Sequence, residues 1–172
     1  MKRLCSFTAM LTLIGAAGLY AQNNPFSADT KQAYTGIKNI LMRAAEKMPE
    51  ENYSFRTVPE VRTYGEMVTH IADIQFMLCG LAKGEQKQGT APANRTKAAA
   101  SAYLKSSFDY CDAVYNPMTD ATGAEKVKMF GRELTKLGVL NFNVEHDNEM
   151  YGTMVAFLRI KGIVPPSSER RP

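Results

Sequence analysis

Histidine is scarce in this chain, which holds only His70 and His146 among its 172 residues. Neither has a serine or cysteine placed beside it by sequence spacing, so no nucleophile and base pair can be assigned. Glycine-rich phosphate loops are absent, as are internal repeats and strand-rich stretches. No window after the first 21 residues approaches the roughly 20 apolar residues of a transmembrane helix. Charge of one sign is also missing. The formal net charge of +4 falls to about +2 without Lys2 and Arg3, and the remaining cations are interspersed with acids, so nucleic acid is not an expected partner.

What is present begins with a leader. Lys2 and Arg3 precede an apolar run from Phe7 to Leu19, and Ala21 stands just before the polar segment Gln22-Asn23-Asn24-Pro25. Basic start, apolar middle and small residue at the cut are the order of a secretory signal peptide. Residues 1–21 are therefore expected to be a leader, with an uncleaved N-terminal anchor as the alternative because Leu19 is large for its place before the cut. Cys5 lies ahead of the apolar run, which is the wrong place for a lipoprotein cleavage site. The expected product is exported, periplasmic or secreted. About 150 residues then remain, enough for one domain burying roughly 70% of its unfolded surface. That domain is expected over 22–166, followed by a short tail, 167–172. Its two cysteines, Cys79 and Cys111, read as small buried core thiols, with a bridge open to them in an oxidising compartment if their helices meet.

Four helices are legible. Asp29 and Gln32 suggest a capping box for the first, whose apolar line runs Tyr34, Ile37, Leu41, Ala44, Ala45 and Met48 before Pro49 ends it. Tyr53, Phe55 and Val58 give the next connection something to press onto the body, which predicts an ordered loop. Thr63 and Glu66 form a clear capping box for the second helix, which carries the stripe Met67, His70, Ile74, Met77, Leu81 and stops near Gly84. An unpaired buried ring nitrogen would cost about 1 to 3 kcal/mol, so His70 is either a satisfied core histidine or a ligand. Lys97 to Tyr115 forms the third helix, with Leu104, Phe108, Cys111 and Tyr115 on one stripe. Between Met118 and Glu133 the pattern weakens, and 126–133 is either a short extended piece or another helical turn.

The last helix is expected from Thr135 to Lys161, stopped by Gly162 with Pro165 beyond. One of its lines is Val139, Asn143, His146, Met150, Thr153 and Phe157. Its neighbour, Leu137, Leu140, Val144, Tyr151, Met154, Val155 and Leu158, is nearly all apolar. His146 thus stands where a buried face turns into a lined cleft. The sum is all-α, an antiparallel four-helix bundle, a fold that builds its sites from side chains on facing helices.

Several stretches together resemble the DinB/YfiT-like family: the segment from Pro49 to Arg56; Arg62-Thr63-Tyr64-Gly65-Glu66-Met67-Val68-Thr69-His70-Ile71-Ala72-Asp73; and His146-Asp147-Asn148-Glu149-Met150-Tyr151-Gly152 through Pro165-Pro166. The resemblance covers essentially the whole chain after the leader. It implies an up-down-down-up bundle, often dimeric, with a divalent metal held by three histidines, one on the second helix and two spaced by four on the last. Carried over, His70 matches the first and His146 the second, while Met150 stands where the third would be. The family includes thiol-dependent transferases and isomerases and metal-dependent hydrolases, so a hydrolase or transferase acting on an unknown small molecule is what it implies for activity.

A thioether is a soft, neutral donor and a poor partner for zinc. Three outcomes follow for the site. Glu149 or Asp73 supplies an oxygen and completes a zinc or nickel site of two imidazoles and a carboxylate, with Asp73 alternatively orienting a ring from behind. Or the two imidazoles and Met150 hold copper(I). Or there is no metal, and the bundle is a non-catalytic binding or structural module. The remaining methionines lie at helix-stripe positions without a Met-x-x-Met run, as adaptable core packing would place them.

Overall fold

The computed structural model describes residues 24–169. The expected leader, 1–21, and the end of the expected tail, 170–172, lie outside the described residues. Four long helices make the body: α1 (Pro25–Lys47), α2 (Tyr64–Lys83), α3 (Lys97–Tyr115) and α5 (Lys136–Ile160). Between α3 and α5 lie the single turn α4 (Asp120–Gly123) and a hairpin of β1 (Lys126–Met129) with β2 (Arg132–Thr135). The expected all-α bundle is the fold observed, and the hairpin is a minor addition to it.

The helix starts show which signals are local. α2 begins at the expected capping box, where the Glu66 amide donates to Thr63 Oγ1 (3.2 Å) and the Thr63 amide to Glu66 Oε2 (2.7 Å). α1 does not use Asp29 and Gln32. It begins five residues earlier, with Asn24 rather than Asp29 in the N-cap position and Pro25 in its first turn. Its free amides are satisfied from across the chain: Ser27 N and Phe26 N donate to the two carboxylate oxygens of Asp120 at 2.7 and 3.3 Å, and Asp120 N donates back to Asn24 Oδ1 at 2.9 Å. The two helix starts cap each other.

Where α1 stops, its last carbonyls lack intrahelical donors, and each of three receives one from a side chain. Tyr64 Oη donates to Ala44 O (2.8 Å), Tyr53 Oη to Ala45 O (2.7 Å) and Lys97 Nζ to Glu46 O (2.6 Å). Tyr53 is buried and Phe55 stacks edge-on against Phe157 at 5.6 Å, so the loop after α1 is tied down as expected. Val58, expected to help, is exposed instead.

Those contacts fix the directions. The end of α1 meets the start of α2, so the two are antiparallel. The connection 84–96 then runs back along α2 until Arg95 touches Gly65, and α3 starts beside the start of α2. Both helices therefore run the same way, which sets Tyr103 beside Asp73 and Cys111 beside Cys79. α5 returns alongside α1, with Thr30 Oγ1 donating to Asn141 Oδ1 (3.0 Å) near its start and Phe157 near Tyr64 at its end. The order is up-down-down-up. No described helix is long and apolar enough to cross a membrane.

One further expectation is corrected, and one that the sequence leaves open is decided. Cys79 and Cys111 are fully buried, but they are bridged rather than free, because parallel α2 and α3 bring their Cα atoms within 5.4 Å. The open segment 126–133 is extended, with Met129 paired to Arg132 around a turn in which Phe130 (φ 50°) and Gly131 (φ 77°) both take positive φ, the conformation that matches strand twist in a two-residue hairpin.

Candidate functional site

α2 and α5 are antiparallel neighbours, and each delivers one histidine to the same point. His70 stands in the second turn of α2 and His146 in the middle of α5, both half-buried. Their Nε2 atoms are 3.3 Å apart, with the rings edge to face at 68°. The His70 ring is held well below the ordinary histidine range, at about 4, by burial first, then by the Arg62 guanidinium and by His146, with Asp73 and Glu149 acting in the opposite direction. It is a neutral imidazole at pH 7, the form in which a ring nitrogen has a lone pair to offer.

Behind His146 lies a polar layer set among the apolar lines of α2 and α5. The deepest line of α2 is Val68, Ile71, Ala72, Gln75, Leu78, Cys79 and Ala82, while His70, Ile74, Met77 and Leu81 sit at its half-buried edge. On α5 the buried line runs Leu140, Asn143, Asp147, Tyr151, Met154 and Leu158. Gln75 therefore meets Asn143 and Asp147 inside the bundle. Gln75 Nε2 donates to Asp147 Oδ2 (2.5 Å), Asn143 Nδ2 donates to Gln75 Oε1 (2.9 Å) and to Tyr115 Oη (3.2 Å), and Tyr115 Oη donates to Leu140 O (2.8 Å). The bridged sulfur of Cys111 lies 2.8 Å from Gln75 Oε1.

Asp147 is wholly buried, and burial pushes its carboxyl up to about 6, against the opposing pull of His146 and the Gln75 amide. Its second oxygen, Oδ1, has no hydrogen-bond partner, and neither has His146 Nδ1, 4.0 Å away. A carboxylate behind the far nitrogen of a histidine is the usual arrangement for orienting a metal-binding ring. Here the pair is positioned but not closed.

The donor set can be tested against a metal directly. Two nitrogens on one tetrahedral zinc, each at about 2.0 to 2.1 Å, lie about 3.3 Å apart, and the His70 and His146 Nε2 atoms have that separation. A third strong donor does not converge with them: the described residues contain no group of three His, Cys, Asp or Glu side chains able to hold an ion. Met150 is half-buried and packs against the hydrophobic core. Asp73 Oδ1 accepts a 2.7 Å bond from Tyr103 Oη. Glu149 is exposed on α5, with its charge felt at His70. The residues thus fit an ion held by two imidazoles with its other positions open, not a closed three-ligand centre.

His70 also forms part of the wall of an open cleft of about 400 Å³. Its lining includes Arg56, Arg62, Thr69, Asp73 and Arg95, with Glu60 and Glu66. None of the three arginines stands out in the sequence, because they come from two separate connections.

A parallel central helix pair, a crossover run between α2 and α3 and facing histidines on α2 and α5 define a DinB-like helical bundle. The chain belongs to the DinB superfamily, whose family model matches residues 34–154. A search of curated proteins finds no match. Among solved structures it is similar to a DinB-like protein from Bacillus subtilis (19% identity, 83% of this chain and 99% of that one, TM-score 0.67). A DinB-like protein from Bacillus cereus is comparably similar (18%, 81% and 95%, TM-score 0.70). The mycothiol-dependent maleylpyruvate isomerase shares the fold at 14% identity over 75% of this chain and 59% of that one, with a TM-score of 0.60.

Proposed function

We propose that the protein is an exported DinB-superfamily bundle that binds a divalent metal, zinc or nickel, through His70 and His146, beside a cleft that receives a small molecule. The observation that carries this reading is the 3.3 Å separation of the two Nε2 atoms at an open cleft. Neutral His70 and the carboxylate behind His146 support it. Export is supported by the basic and apolar leader and by the bridge between Cys79 and Cys111, since such bridges persist in oxidising compartments.

Each residue has a part in this reading. His70 and His146 hold the ion, and Asp147 orients the His146 ring. Glu149, an exposed carboxylate on α5 whose charge is felt at His70, would supply a third position. An ion there would supply Lewis-acid polarisation of a substrate oxygen, the chemistry of a hydrolase or transferase. A second reading, a binding or structural module without metal, draws its support from Met150 in the third position. Copper(I) would suit two imidazoles and a thioether, but Met150 is engaged by the core.

Elemental analysis decides between them. Tag-free protein purified without chelator and dialysed against zinc, nickel or anaerobic copper(I) should retain about one zinc or nickel ion per chain, and His70→Ala and His146→Ala should each lose it. Retention of none of the three supports the module without metal, and selective retention of copper(I) supports the thioether site.

A further inference from the structure

The cleft beside His70 has a cationic clamp that the protein's own acids do not use. Three of its lining residues are acidic, but two are already engaged. Glu66 accepts from the Thr63 amide in the α2 cap and lies 4.0 Å from Arg56. Asp73 accepts from Tyr103. Glu60 stands at the exposed rim. Neither Arg62 nor Arg95 has an ion-pair partner among the described residues, and Arg95 Nε is buried without an acceptor.

Arg95 is also fixed in place. A Cβ on Gly65 would come within 2.6 Å of the Arg95 carbonyl oxygen, so the glycine is what lets the connection lie flat on the first turn of α2. Gly89, earlier in the same connection, sits so tightly on the Asp73–Tyr103 hydrogen bond that any side chain there would collide with both partners. The backbone of Arg95 is thus fixed against α2, and its side chain keeps a buried Nε–H that no acceptor of the chain meets, a donor left for an acceptor from outside.

We propose that Arg62 and Arg95 bind the carboxylate of a small organic acid in the cleft beside His70. Guanidinium forks match a planar carboxylate in geometry. The three acids in the lining balance the three arginines, so the cleft opposes the two charges that a phosphate dianion concentrates on one centre and tolerates a carboxylate, each of whose charges, even in a dicarboxylate, sits on a separate planar group. A volume of about 400 Å³ admits a molecule of a few carbons. With its carboxylate on the arginines, the remainder of such a molecule faces His70. This assigns a substrate class to the site proposed above and rests on that reading for its catalytic meaning, but carboxylate binding itself requires no metal.

The test is calorimetry on the full exported chain after chelator treatment, with malonate, inorganic phosphate and methylammonium as probes at low ionic strength. Saturable malonate binding is expected, weaker or absent for phosphate and absent for methylammonium. Arg62→Gln and Arg95→Gln should each weaken malonate about tenfold or more, with unchanged thermal melts, while Arg132→Gln, exposed on the hairpin beside the other end of α2, leaves it unchanged. His146→Ala should lose metal but keep malonate, which separates failure of the metal reading from failure of this one. Absence of saturable malonate binding, phosphate binding as tightly as malonate, or binding indifferent to both arginine variants would each overturn the proposal.

Discussion

Asp147→Asn tests the buried layer beneath the histidines. The carboxyl is fully buried, with one oxygen bonded to Gln75 and the other unsatisfied, and its pKa is pushed from 3.8 to about 6. Because the folded value lies above the unfolded one, the folded state prefers the protonated acid. Above pH 6 the carboxylate is ionised in both states and destabilises the fold by about 3 kcal/mol, at 1.36 kcal/mol for each tenfold change. Below about pH 3 both states are protonated and the cost vanishes. The asparagine keeps an oxygen for the Gln75 amide and never ionises. In chelator-treated protein, urea denaturation followed by circular dichroism should show the variant gaining on the wild type by about 3 kcal/mol between pH 3 and pH 8. Other titrating groups are common to both chains and cancel in the difference. A difference that is flat with pH would refute the reasoning, and one that runs the opposite way would mean that Asp147 is held as a paired anion.

The bridge between Cys79 and Cys111 closes a loop with a sequence separation of 32, for which chain entropy gives about 3.7 kcal/mol. The double alanine variant should lose about that much in urea denaturation, and reducing agent should change the wild type but not the variant. Met150→His should tighten zinc binding further, by at least about a hundredfold in competition with a chromophoric chelator, because it adds a third imidazole nitrogen one turn from His146. Unchanged affinity would place residue 150 outside the site. Gly65→Ala should lower the melting temperature and weaken malonate together, since the added methyl meets a backbone carbonyl that cannot move aside as a flexible side chain can.

Legibility in the sequence followed the range of the forces involved. The start of α2 could be read because Thr63 and Glu66 cap each other within one turn. The start of α1 could not, because its cap is Asp120, 93 residues beyond Ser27. The hairpin was ambiguous since each strand has four residues and its turn is Phe130-Gly131, without the usual Asn-Gly or Asp-Gly signal. The bridge required knowing that the connection 84–96 runs back along α2 and makes α2 and α3 parallel.

At the site, His70 and His146 were singled out as the rarest reactive side chains, and the structure brings them together; Asp73 and Glu149 lie near enough for their charge to reach His70. Gln75, Asn143 and Asp147 carry a weaker signal in the sequence. Each stands on its helix in register with apolar residues, and a polar side chain on a buried line must find a partner there. Arg62 and Arg95 had no such signal, because only the folded loops bring them into one cleft.

The central claim is that His70 and His146 bind one ion together. X-ray absorption at the zinc edge, on protein loaded with one equivalent of zinc, counts imidazole ligands by their multiple scattering. Two imidazoles at about 2.0 Å, falling to one in either His70→Ala or His146→Ala, is the predicted result. A spectrum without imidazole scattering, or one unchanged in both variants, would contradict the account.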